Sequence, residues 1–119
     1  MHNFKFRVWD EWEKKMVFLE GIFNTTPYWA GLPGIKITQS TGLKDKNDVE
    51  IYEGDILDDS YVNPMTKEKI IKLYEVVFKS GSFWAKHKES PYGDSLLYFI
   101  NKRSKVIGNI WDNPELLKA

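Results

Sequence analysis

Cysteine is absent from all 119 residues, which excludes a disulfide framework, a thiolate zinc site and a thiol nucleophile, and agrees with a reducing interior. Histidine is scarce: His2 and His87 are the whole complement, with no spacing that sets two imidazoles on one metal. No run of eighteen apolar residues occurs, and the opening Met1-His2-Asn3-Phe4-Lys5-Phe6-Arg7 interleaves charge with aromatics, so neither a membrane span nor a signal peptide is read. Net charge is lacking too. Seventeen basic residues balance seventeen acidic ones, which removes the basic excess of a non-specific nucleic-acid binder. These absences predict a cytoplasmic protein with no membrane association and no cofactor.

What is present is aromatic bulk. Phe, Tyr and Trp make up 15% of the chain, five of them Trp, and burying a few such rings offsets much of the ordering entropy of a chain this short. The length suits one domain over 1–119. Charge is segregated: residues 45–66 carry seven acids against Lys46, and residues 67–105 carry nine bases against four acids. Opposite charges on adjacent strands of one sheet are the plain reading of that segregation.

Alternation with a period of two dominates. Phe4, Phe6 and Val8 alternate with Lys5, Arg7 and Trp9, and Lys15-Met16-Val17-Phe18-Leu19 follows a polar turn, so residues 3–20 predict a hairpin whose end Trp12 covers. Loop chemistry runs from Gly21 to Gly34 around Tyr28 and Trp29. Strands are predicted at 35–40 and 49–52, joined through Asp45-Lys46-Asn47-Asp48. Glu53-Gly54-Asp55 changes direction before a strand from Ile56, with Gly54 at positive φ and Asp55 tying down backbone N–H groups. Ile70 to Phe78 is apolar on both faces and reads as one central strand. Lys79-Ser80-Gly81-Ser82 turns into a strand at 83–87. Ser95 is placed as the cap of a short helix over 96–100, a run that also fits a strand. A last strand spans 105–111, and Asn113 with Pro114 opens a one-turn helix.

Catalytic signatures do not emerge. The acidic stretch from Asp45 fails the calcium-loop pattern, with Val49, Glu50 and Ile56 at the diagnostic positions. No G-x-S-x-G, P-loop or G-x-G-x-x-G is present. Asp58 and Asp59 are adjacent, so a strand sends them to opposite faces, whereas Glu53 and Asp55 can share one. Acids beside glycine are ordinary at strand ends, and most tryptophans of so small a domain belong to its core, with Trp29 in its loop the expected exception.

Thr41-Gly42-Leu43-Lys44-Asp45-Lys46-Asn47 followed by Glu50-Ile51-Tyr52-Glu53-Gly54-Asp55-Ile56 resembles the central signature of the YopX-like family of bacteriophage and prophage proteins. Lys5-Phe6-Arg7-Val8-Trp9-Asp10 and Val106 to Leu117 are similar to that family's two ends. Asp48 departs from the glycine common there, and an Asx residue also tolerates the left-handed region. The resemblance implies a small SH3-like β-barrel of temperate-phage origin and no particular activity.

The resulting expectation is a mainly β fold, a small antiparallel, partly open barrel of six or seven strands with one or two short helical turns. Gly42, Gly54, Asp55 and Gly108 are its structural signature. The protein is expected to be no enzyme but a phage accessory protein that binds a protein partner or itself through Tyr28, Trp29, Trp84, Lys86, Lys88 and Tyr92. The alternative is nucleic-acid binding, with Lys86, Lys88, Lys102, Arg103 and Lys105 on phosphates and Trp84 or Tyr92 on a base. A third reading is a hydrolytic or metal-dependent enzyme using the acidic 53–59 cluster, through Glu53, Asp55 and Asp58.

Overall fold

A computed structural model describes residues 5–20, 33–87 and 94–117. Alternation builds the first sheet. Lys5–Asp10 (β1) pairs antiparallel with Lys15–Glu20 (β2) on one side and Ile35–Lys44 (β3) on the other, and β3 pairs with Glu50–Tyr52 (β4). Asp10 accepts hydrogen bonds from the N–H groups of Trp12 and Glu13 and so closes the first hairpin. Trp12 donates its indole N–H to the Pro33 carbonyl but leaves its ring largely in solvent, so it covers little.

The second sheet follows the turn at Gly54. Its strands are Asp55–Asp58 (β5), Leu73–Lys79 (β8), Ser82–His87 (β9), Ser95–Leu96 (β10) and Lys105–Asn109 (β11), in the order β10-β9-β8-β5-β11. Tyr61–Val62 (β6) and Lys69–Ile70 (β7) form a separate two-stranded ribbon. The strands curl into an antiparallel half-barrel with one short helix, Leu97–Ile100 (α1). The apolar faces meet in a cluster of Ile51, Leu57, Tyr74, Val76, Ala85, Leu97 and Ile100. Each Ile, Leu or Val side chain among them contributes about 1.5–3 kcal/mol on full burial. As expected for a strand apolar on both faces, β8 is internal to its sheet.

Some local expectations change. The 70–78 stretch divides into β7 and β8 around Ile71 and Lys72. Ser95 does not cap α1; it pairs with Ala85 as part of β10, and Leu96 precedes the helix without a side-chain cap. Asn113 does precede the 3₁₀ turn Pro114–Leu117, yet its carboxamide oxygen accepts the Asn109 N–H instead. The Ser80-Gly81 turn has positive φ at both residues, the geometry that matches the twist of a two-residue hairpin.

Candidate functional site

The acidic stretch disperses. Asp45 is buried within the β3–β4 turn: one carboxylate oxygen accepts from the N–H groups of Asn47 and Val49 at 2.8 and 2.9 Å, and the other from Val106 N–H at 2.8 Å. That turn, with Asp48 at φ 66° as an Asx residue tolerates, is thereby pinned to β11. Asp58 accepts the Ser60 N–H and stands opposite Lys105 in register, and Asp59 holds Arg103 at 3.0 Å. The opposite charges of neighbouring strands therefore do meet here.

Asp55 has the most constrained place. Its carboxylate accepts the Tyr52 N–H at 2.8 Å and meets Arg7 at 2.6 Å, both side chains buried. The bond runs back to a residue three positions upstream, which closes the β4–β5 turn. Burial pushes the Asp55 carboxyl up, opposed by the Arg7 charge and the Tyr52 N–H. Arg7 also donates to Thr38 Oγ1 and the Glu53 carbonyl, and its guanidinium lies 5.0 Å from the Tyr52 ring centroid and 5.9 Å from that of Trp111. Gly54 takes φ 91°, and a Cβ there would fall 2.5 Å from the Trp111 ring. Gly108 is closed in likewise by Asn113, whereas Gly42 at φ 78° faces open space.

Above this floor opens a cleft of about 480 Å³ walled by Phe18, Tyr52, Val49 and Val106, with Lys5 and Glu50 paired at 3.0 Å. Burial, assisted by Glu50, pushes the Tyr52 phenol up to about 12. On the far side of the β4–β5 turn is a second groove of about 290 Å³, lined by Glu53, Glu75, Val77, Phe78, Ile110 and Trp111 among others. Glu53 and Asp55 thus line different hollows. Among the described residues no group of three or more metal-binding side chains occurs.

Of the side chains expected to form an interaction surface, Trp84 and Lys86 lie on one face of β9. Trp84 is half-buried, gives its indole N–H to the Lys79 carbonyl and carries the Lys79 ammonium over its ring. Tyr28, Trp29, Lys88 and Tyr92 lie outside the described residues.

Sequence reasoning missed a projecting arm. The β5–β8 pairing of Ile56 with Glu75, Leu57 with Tyr74 and Asp58 with Leu73 continues through an Asp59–Lys72 backbone bond into Tyr61 with Ile70 and Val62 with Lys69. The register never slips. Asn63 closes it, taking the Met65 N–H on its side chain and the Lys67 N–H on its carbonyl. Among the described residues, β11 accompanies this ribbon only to Asp58 and β9 only to Tyr74. Tyr61, Val62, Met65 and Ile71 beyond those points are exposed. The available signal was Asn63-Pro64 between two apolar pairs, which marks a turn within a longer hairpin.

Fold and site together define a small, mainly β, antiparallel half-barrel with a buried Arg–Asp floor and an arm that exposes apolar side chains. The family model of the YopX protein matches residues 20–118, and the chain belongs to the YopX family. It is similar to the crystal structure of protein EF1440 from Enterococcus faecalis at 29% identity and a TM-score of 0.64, over 98% of this chain and 99% of that one. No curated protein matches the chain. Among the described residues no helix is long and apolar enough to cross a membrane.

Proposed function

We propose that this protein is a non-catalytic binding module serving a phage or prophage in the cytoplasm of a bacterial host, and that its β6–β7 arm holds another protein chain. The carrying observation is the arm's exposed Tyr61, Val62, Met65 and Ile71 on a ribbon with no third strand beside it among the described residues. A lone two-stranded ribbon is marginal in water, and contact with a partner supplies the missing apolar surface. Dispersal of the acidic residues supports a role without chemistry, because an acid–base pair needs two carboxyls converging on one substrate. The test is crosslinking and capture in host cells with the wild type and a Val62→Ser, Met65→Ser, Ile71→Ser variant. Loss of a partner by a variant that melts like the wild type is expected; a partner retained in full overturns the assignment to the arm.

Nucleic-acid binding is a second reading, favoured by one observation: exposed Tyr98 and Phe99 meet edge to face beside exposed Lys102. Arg103 is engaged by Asp59, and Lys105 stands opposite Asp58, which reduces the charge available to phosphates. Fluorescence anisotropy with single-stranded DNA at low and moderate salt decides it, since phosphate-driven binding weakens steeply as salt rises.

A further inference from the structure

The arm and the second groove are complementary and lie on one chain. β8 outruns β5: the 2.8 Å contact from Gly54 N–H, just before β5, to the Val76 carbonyl is the last along this pair, so Val77 and Phe78 border the groove where a β5 partner would otherwise run. Phe78, Ile110 and Trp111 make its walls apolar, and Glu53 and Glu75 give it negative charge. Neither glutamate is in a salt bridge among the described residues, and Lys86, opposite Glu75 in register, is not bonded to it. The arm tip has the converse balance: Met65 is 91% exposed, and exposed Lys67 and Lys69, which outnumber the one acid between them, Glu68, have no salt-bridge partner among the described residues.

Tip and groove cannot meet within one chain. About ten residues of extended ribbon separate Thr66 from Val76, roughly 33 Å at about 3.3 Å per residue, along a molecule whose longest dimension is 55 Å. We propose that the arm of one copy seats in the Glu53–Glu75 groove of a second copy, with Met65 against the aromatic walls and Lys67 and Lys69 on the carboxylates. This rests on the protein-binding reading and names its partner as the same chain. The contact is head to tail, joining two different surfaces, so repetition yields a ring where the rotation closes and a filament where it does not.

Sedimentation velocity of the full chain over a concentration series tests this. Species larger than the monomer are expected at about 20 mM salt and are largely lost at about 500 mM, because exposed charge pairs are screened. Lys67→Glu with Lys69→Glu, or Glu53→Lys with Glu75→Lys, leaves a monomer, since each variant sets like charges together. The chain carrying all four changes self-associates again, which pairing of arm with arm does not allow, because both arms are then acidic. Circular dichroism and a melting curve accompany each variant, and Glu53→Gln with Glu75→Gln, which adds no charge to the groove, weakens association in the same direction. A wild type monomeric at every salt overturns the head-to-tail contact, as does a four-change variant that folds but stays monomeric. If the wild type is monomeric and the arm variant loses a different captured protein, the protein-binding reading stands while this inference falls.

Discussion

The β5–β8 hairpin is one ribbon with two fates. In its anchored half Ile56 and Leu57 are 0% exposed; in its distal half Ile71 is 59% exposed and Met65 91%. Register and strand direction are alike in both. The halves differ in neighbours, since β11, β9 and the barrel interior flank the first, and among the described residues no strand flanks the second. Strand formation is thus a local property, while burial is set by what the rest of the chain brings alongside. The same kind of residue is buried in the fold in one half and stays exposed in the other.

The largest expected effect sits where the anchored half begins. Asp55→Ala strands the buried Arg7 charge and leaves the Tyr52 N–H without its acceptor, and loss of one partner from such a pair costs about 3–5 kcal/mol. Urea unfolding measures it, and a loss under about 1 kcal/mol would show that the Arg7–Asp55 floor does not hold the anchored half in place. Leu57→Ala follows at about 2–5 kcal/mol, from lost burial plus the cavity left behind. The comparison breaks if Leu57→Ala costs no more than Ile71→Ala.

Gly54→Ala is expected to cost at least about 1 kcal/mol. The positive φ strains any side chain, and the Trp111 ring must also move. Trp111→Gly in the Gly54→Ala background separates these causes, because it removes the clash and leaves the backbone strain.

Alkaline pH probes the cleft beside the anchored half. The Tyr52 phenol is pushed up to about 12 by burial and by Glu50, whereas an unfolded tyrosine titrates at about 10. Between those values the unfolded chain loses its proton first. This contribution to stability is therefore fully present below about pH 10 and is lost as pH rises toward 12. Phenolate absorbance should show one tyrosine titrating at about 12, and Glu50→Gln should move its midpoint down. A midpoint near that of free tyrosine would place the Tyr52 hydroxyl in water.

Sequence patterning made much of this fold legible. The β1–β2 hairpin, the internal β8, the turn at Ser80-Gly81 and the positive φ of Gly54 all follow from alternation and glycine placement. The partners of Asp45 and Asp55 were not legible, because Val106 and Arg7 lie 61 and 48 positions away in the chain. The sequence places Asp45 in a turn and Asp55 on nearby backbone N–H groups, but distance along the chain hides their burial and these long-range partners. The arm was hidden for the opposite reason: its pattern matches that of a core strand, and alternation says nothing of how many neighbours a strand will have.

The smallest expected effect gives the sharpest test of that contrast. Val62→Ser and Ile71→Ser replace apolar groups that are already more than half exposed, so little surface returns to water on unfolding and each change should alter stability by no more than about 0.5 kcal/mol. Backbone pairing of Val62 with Lys69 needs no particular side chain, and one register runs on both sides of Ile71. Association should nonetheless fall, because the lost groups are those a partner would cover. The measurement is a pair of readings on one sample, urea unfolding and sedimentation velocity. An unfolding midpoint that drops as far as that of Leu57→Ala would mean that the distal half is part of the folding core, and that its exposed side chains stabilise the monomer and not an interface.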